Sequence, residues 1–381
     1  MSNTLTNLQP DLYEALDVVS RELVGFIPSV TIDASVARAA LNENVRSFAT
    51  TAQVAEDVTP GQLPPDDGDQ TVNNVVITIS KSRAVPFRWT GEEQKGVNHG
   101  PGYRNIRRDQ IAQAFRTLTN EIEVSLGGLI TSASRAYIPA SGVFNSDLSD
   151  PAQLRKILSD NGAPLSDMQL VIDTTAGARL RSLAQLTKAN EAGTTSLRAQ
   201  GTLLEVSGFT IRESAGVNVH TNGTGSAYVT NGTQAKGATT IALQTGSGTV
   251  LAGDILNFAT DTGDNYVVNS ALSAGNAGIS APGLRQAIAT GQAATIKSGA
   301  TSGFYTGNLA FARTAIVLAT RQPALPEEGD MAEDRMTVVD PRSGLAFEVA
   351  MYRQYRRVRY EIAIAYGWQM IKPEHAAILA G

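Results

Sequence analysis

Between Asn222 and Thr306 the chain nearly stops using charge: its only acids and bases there are Lys236, Asp254, Asp261, Asp264, Arg285 and Lys297. Gly, Ala, Thr, Ser and Asn dominate the remainder, while the sequence on either side has ordinary charged composition. Alternating runs survive inside the segment, at Ala238–Leu243, Asp254–Phe258, Asn265–Val268 and Ala293–Ile296, with Gly, Asn and Ser between them. Period-two runs broken by turn residues predict short strands of a small all-β barrel or sandwich, not a low-complexity linker. A composition shift that later reverses predicts a module inserted into another unit. The 381 residues accommodate about two or three such units.

The flanking sequence alternates helical and extended patterns. Leu12, Leu16, Val19 and Leu23 predict an amphipathic helix over 11–25, stopped by Gly25 and Pro28. Residues 44–90 read as a long hairpin, with Val45–Thr51 going out, Val75–Trp89 returning, and a Pro-, Asp- and Gly-rich tip at Thr59–Asp69. Such a hairpin is marginal in water and calls for a partner surface, either another copy of the chain or the edge of the parent sheet. The clearest helix spans 105–135: Ile111, Phe115, Leu118, Ile122 and Leu126 share one face, Asn105 is the expected N-cap, and Gly127-Gly128 predicts a bend or a tight contact. An α+β unit follows over 151–219. It has a helix capped by Asp150, a strand at Met168–Asp173, a helix at Gly177–Thr187, and short strands about Ser207-Gly208. Phe311–Leu318 resumes that unit as a strand, 322–335 is a Pro- and acid-rich loop, and 336–371 is strand-rich.

Residue chemistry removes several function classes. The absence of cysteine excludes disulfides, thiolate metal sites and Cys nucleophiles. No apolar run reaches the roughly 18 residues of a membrane span, and a polar N-terminus does not resemble a secretory signal. A soluble protein made inside the cell is expected. A net charge of −5 without a long basic run does not fit a dedicated nucleic-acid binder. The three histidines, His99, His220 and His375, accompany no Gly-x-Ser-x-Gly elbow, and no phosphate-binding loop opens a helix. Asp66-Asp67-x-Asp69 and Asp261-x-x-Asp264 are expected to be solvated turns, since their spacings are not specific for Ca²⁺. No catalytic, cofactor-binding or metal-ligating residue is therefore expected. Two basic clusters remain, Arg104, Arg107 and Arg108 at the start of the long helix, and Arg353, Arg356, Arg357 and Arg359 near the end of the chain. Basic residues at a helix N-terminus oppose its dipole and call for compensation. Phosphate, or an acidic surface such as Glu327, Glu328, Asp330, Glu333 and Asp334 on a neighbour, would supply it, the alternative being that both clusters are simply solvated surface. Trp89 and Trp368 are expected to pack rather than bind ligand.

The order of these elements resembles the major capsid proteins of tailed double-stranded-DNA bacteriophages, with the Hong Kong 97-like fold, in the short-tailed branch that carries an insertion domain. Leu16–Leu23 resembles the arm helix, 44–90 the extended loop, Ile106–Ser134 the spine helix, and Gly237–Leu243 with Leu251–Phe258 the insertion-domain strands. Ala365-Tyr-Gly-Trp368 and Lys372-Pro-Glu374 resemble the closing strand and tail. The resemblance implies an α+β fold with an inserted small all-β domain. Its parts would be an arm (1–43), extended hairpin (44–95), peripheral domain with spine helix (96–145), axial domain (146–221 and 307–335), insert (222–306), and peripheral strands with the tail (336–381). It implies self-association into hexamers and pentamers of an icosahedral shell in the virion, assembled in the host bacterial cytoplasm. Expected partners are a separate scaffolding protein, a portal, a cement protein in some such shells, and packaged DNA nearby, with no membrane. Assembly or packing candidates are Trp89, Arg107, Arg108, Gly127, Gly128, Arg356, Arg357 and Trp368. The reading from another class is a surface carbohydrate-binding or adhesive protein. Its binding module would be the insert, whose aromatics include Phe258, Tyr266, Phe304 and Tyr305 but no Trp.

Overall fold

The computed structural model describes residues 24–49, 58, 60, 73–97, 103–183, 186, 205–299, 303–340 and 344–381. Residues 11–23 of the expected N-terminal helix and nearly all of the hairpin tip lie outside them. After a 3-10 turn at Ile27–Ser29 come β1 (Thr31–Ala39), β2 (Asn44–Ala49), β3 (Asn73–Thr78) and β4 (Lys81–Thr90), then helices α1 (Gly91–Val97) and α2 (Tyr103–Gly127). A 3-10 turn (Gly128–Ser132) leads to β5 (Arg135–Tyr137), α3 (Ser149–Asp160), β6 (Met168–Ile172), α4 (Thr174–Ser182), β7 (Glu205–Val206) and β8 (Phe209–Glu213). Next are β9 (Val219–Thr221), β10 (Tyr228–Thr230), β11 (Thr240–Gln244), β12 (Ile255–Phe258), β13 (Asp261–Ser273), β14 (Asn276–Ile279) and β15 (Ala293–Lys297). The chain closes with β16 (Phe304–Ala312), β17 (Ile316–Pro323), β18 (Ala332–Val339), β19 (Ala346–Gln354), β20 (Arg357–Met370) and β21 (Ala376–Ala380).

Among the described residues of this α+β chain the strands form three bodies and a separate two-stranded ribbon, β2–β3. The first is a six-stranded sheet in which β20 is central, with β4 along one side and β19 and β17 end to end along the other, flanked by β18 and β1. Helix α2 lies on this sheet. Its face of Ile111, Phe115, Leu118, Ile122 and Leu126 is buried, and Phe115 meets Phe347 edge-on with ring centroids 5.0 Å apart. Each of those side chains contributes about 1.5–3 kcal/mol of burial, so the face alone fixes the helix on the sheet.

The second body orders β5, β21, β16, β6, β8 and β7, with β21 parallel to β5 and antiparallel to β16. Helices α3 and α4 cover it, Leu154, Leu158 and Leu180 packing with Met168, Leu170 and Phe209. The turn between β7 and β8 is the expected Ser207-Gly208, both residues at positive φ (53° and 85°), as a two-residue hairpin turn of the primed kind requires.

The third body comes from the charge-poor segment. The antiparallel pairings β10–β11, β11–β14, β14–β13, β13–β12, β12–β15 and β15–β10 return to their start, so these strands form a closed ring. Its interior is a separate cluster that includes Ile241, Leu243, Leu256, Phe258, Tyr266 and Ile279. The ring meets the second body where Tyr266 of β13 pairs with Arg135 of β5.

Several expectations need correction. The return arm of the hairpin is two strands. Only β3 pairs with β2, and the chain then turns at Ile79-Ser80 so that β4 joins the six-stranded sheet. The same split divides Phe311–Leu318, because a 3-10 turn at Arg313–Ala315 carries the chain from β16 in one sheet to β17 in the other. Asn105 sits inside α2, not at its cap, and Asp150 is inside α3, where its buried carboxylate accepts from Phe144 N at 2.7 Å. Helix α4 begins at Thr174, capped by Asp173, which accepts from Thr175 N and Ala176 N. The stretch after Pro373, expected as a tail, forms β21, which is wholly buried within the second body rather than paired in the six-stranded sheet.

Candidate functional site

The eight candidate positions fall into two groups, one at each end of α2. Its 25 residues put Arg107 and Gly127 about 30 Å apart along the axis.

At the first end, Trp89 of β4 pairs with Val358 of β20, and its indole N–H donates to Gln110 Oε1 of α2 at 2.8 Å. Strands β19 and β20 are joined here by a two-residue turn, Tyr355-Arg356, with Arg356 at φ 56° and its carbonyl accepting from Gly91 N. The side chains of this turn leave the sheet, and Tyr355 is 88% exposed. Between the turn, Trp89 and α1 lies an open cleft of about 610 Å³, bordered by Arg353, Arg356, Arg357 and Glu92. Arg356 stands 5.6 Å from the Tyr355 ring, a cation–π arrangement. Arg107 and Arg108, in the opening turns of α2, are partly buried, and Arg108 pairs with Asp109 at 3.5 Å. The acidic residues named as partners for these clusters divide: Glu333 pairs with Arg353 and Asp330 with Arg335, whereas Glu327 and Glu328 are exposed in the loop before β18.

At the other end, Gly127 is the junction where α2 tightens into the 3-10 turn. A Cβ there would stand 2.2 Å from the carbonyl oxygen of Gly216, while one on Gly128 would meet nothing nearer than 3.5 Å. The pair is thus a tight contact at its first glycine only. Gly127→Ala is expected to cost about 1–3 kcal/mol through this overpacking against backbone, with Gly128→Ala nearly neutral. Urea unfolding of both variants checks this, and equal effects would refute it. Trp368 belongs to the same end: Lys81 Nζ lies 5.4 Å from its ring and 5.9 Å from that of Tyr366, and bonds Ser125 Oγ at 3.1 Å and Glu121 Oε1 at 3.3 Å. Burial of Glu121 works against its charge, but the hydrogen bonds and charges of Arg83 and Lys81 prevail and hold its carboxyl below the ordinary value. Gly367 is required by a crossing: a Cβ would lie 2.1 Å from Thr78 O, where the root of the β2–β3 ribbon passes over β20.

Two buried polar centres escaped the sequence reading. Glu123, one turn before Gly127, is 3% exposed and accepts from Gly25 N and Phe26 N at 2.6 Å, Ile27 N at 3.1 Å and Ser214 Oγ at 2.6 Å. It therefore fastens the start of the described chain and the loop after β8 to α2. Burial pushes its carboxyl above the ordinary value despite these four donors. Arg135, 1% exposed, bonds Asp264 Oδ1 at 2.5 Å, Asn161 Oδ1 at 2.7 Å and Ile157 O at 3.1 Å, and Arg285 adds a pair to Asp160. This cluster ties the strand ring to β5 and α3. A helical Glu facing a strand-like arm, or an Arg among apolar neighbours, carries no signal in a single sequence.

Of the residues considered for chemistry, His99 and Asp66–Asp69 lie outside the described residues, and Asp261, Asp264 and His220 have structural partners. Asp261 accepts from Tyr266 Oη at 2.6 Å, Asp264 holds Arg135, and His220 Nε2 meets Asp254 Oδ1 at 2.9 Å where the ring joins β9. Among the described residues, no cluster of three or more potential metal ligands forms. Phe258, Tyr266 and Tyr305 are fully buried, which leaves Phe304, 42% exposed, as the accessible one of the four aromatics named for a carbohydrate face. No helix among the described residues is long and apolar enough to cross a membrane.

Comparison with known protein families and with curated proteins finds no match. Among solved structures, the chain is similar to the capsid of cyanophage P-SCSP1u at 11% identity, over 94% of this chain and 88% of that one, with a TM-score of 0.49. It is similar to a structure from Mycobacterium phage Che8 at 13% identity, over 89% and 84%, with a TM-score of 0.47. A virus-like particle from Pyrococcus furiosus aligns at 10% identity over 97% and 98%, with a TM-score of 0.46.

Proposed function

We propose that this chain is the major capsid protein of a tailed double-stranded-DNA bacteriophage, a structural subunit that self-assembles into the icosahedral shell around the genome. The observation that carries the reading is the β2–β3 ribbon. Among the described residues it pairs with no further strand, and it is held at its root, where Ile77 and Ile79 pack with Ala39, Val317, Ala319 and Ala365. A two-stranded ribbon is marginal in water by itself, and a second subunit is the surface that would complete it. The six-stranded sheet with α2 corresponds to the peripheral domain and the second body to the axial domain, to which β21 is assigned. The strand ring corresponds to the insertion domain.

In this function the affinity resides in many modest contacts repeated by symmetry rather than in one pocket. The subunit would form hexamers and pentamers with the help of a separate scaffolding protein and a portal, in the host cytoplasm, and remain in the virion. A cement protein, in a shell that uses one, would bind from outside. The two ends of α2 have different roles, the cleft end meeting neighbours and the Gly127 end allowing the helix to bend as the shell matures. Size-exclusion chromatography and negative-stain microscopy of the purified chain test the function. Shells or capsomers are expected. A chain that stays monomeric at every concentration tried, with and without a crowding polymer, and binds a glycan would replace this function with the adhesive one.

A further inference from the structure

We infer that the acidic loop before β18 of one copy docks in the cleft beside the Tyr355-Arg356 turn of the next copy. The inference rests on the shell-subunit function and names one of its contacts. Loop and cleft lie at the same end of the six-stranded sheet, since Ala332 pairs with Tyr352 and the Tyr352 hydroxyl donates to Asp330 at 3.0 Å. The strand order there is β18, β19, β20, β4, with the loop entering β18 and the cleft lying between the turn and β4. Within one copy Glu333 of β18 pairs with Arg353 at the near edge of the cleft, whereas Glu327 and Glu328 make no ion pair with Arg356 or Arg357 among the described residues.

The two surfaces are complementary. Among the described residues, Arg356 and Arg357 have no ion-pair partner, and neither do Glu327 and Glu328, although all four are exposed. Met331, 82% exposed at the end of the loop, supplies a thioether for the aromatic side of the cleft formed by Trp89 and Tyr355. A donor on one side and an acceptor on the other make a heterologous, head-to-tail contact, which closes into rings when the rotation permits.

Charge reversal tests this in the whole chain. The double variant Arg356→Glu/Arg357→Glu and the double variant Glu327→Lys/Glu328→Lys each set like charges against each other, and each is expected to lower the assembled fraction about tenfold or more. The chain carrying all four substitutions restores the opposition and is expected to assemble within about twofold of the parent. Circular dichroism confirms that the variants fold, and sedimentation reads the assembled fraction. If the parent assembles and either double variant assembles equally well, or if the fourfold variant is no better than the doubles, this contact is wrong while the shell function stands. A parent that does not assemble under any condition defeats the function itself.

Discussion

Replacing Glu123 with alanine is expected to destabilise the chain by roughly 4 kcal/mol, because four buried donors lose their acceptor and each orphan costs about 1–3 kcal/mol before water partly fills the gap. Those donors are the amides of Gly25, Phe26 and Ile27 and the hydroxyl of Ser214. Glu123→Gln keeps the volume but turns an amino group toward N–H donors, so it is expected to lose about half as much. The pH dependence has a definite sign. Burial raises the folded carboxyl above its ordinary 4.5. The stability that Glu123 contributes is thus complete below that value and declines as pH rises through the folded one. Glu123→Gln should remove that decline. Urea midpoints across pH, with amide exchange at Phe26 and Ile27, measure both effects. A Glu123→Ala variant within about 1 kcal/mol of the parent would mean that the carboxylate does not hold the arm root.

Arg135→Ala is expected to cost about 3–5 kcal/mol, the range for breaking a buried pair and leaving its partner uncompensated. The partner is Asp264, and Asn161 and the Ile157 carbonyl lose a donor as well. The damage should be local. The strand ring has its own interior around Ile241 and Phe258, so it should stay folded while its seam with β5 loosens. Amide exchange should quicken at Val267, whose N–H reaches Ser134 O across that seam, and remain slow inside the ring. Uniform acceleration through the whole ring would instead make Arg135 part of the ring's own stability. Arg135→Met, which keeps much of the packing, should recover part of the loss.

These two centres mark the limit of what the sequence discloses. The α2 face was legible because five apolar residues repeat at helical spacing, and the ring strands because they alternate between turn residues. Glu123 and Gly25 are 98 positions apart, and Arg135 and Asp264 are 129 apart, so no local pattern links them. Strand β21 was missed for a different reason. Ala376–Ala380 is buried on both faces, which erases the alternation that reveals a half-exposed strand. The divided strands at Ile79-Ser80 and Arg313–Ala315 read as continuous because each half is extended, and only the pairing partner changes between sheets. Of the candidate site, Arg356 and Arg357 were named as part of a basic cluster and Trp89 as a packing aromatic. Their convergence on one cleft depended on the β4–β20 register, which a sequence alone does not give.

Closure of the strand ring explains how the segment can do without charge. Proteins commonly discourage aggregation by placing lysines, prolines or bulges along strands whose backbone groups would otherwise recruit another chain. In the ring, each of the six strands has a neighbour on both sides, so most of that recruiting backbone is already satisfied. Sparse ionic groups are then free for structural use. Asp254, Asp261, Asp264 and Arg285 are engaged with His220, Tyr266, Arg135 and Asp160 rather than spent on colloidal repulsion. A surface of Thr, Ser, Asn and Gly remains outside, with Lys236 and Lys297 exposed among them. Its hydration should change little with ionic strength, unlike that of the charged bodies beside it.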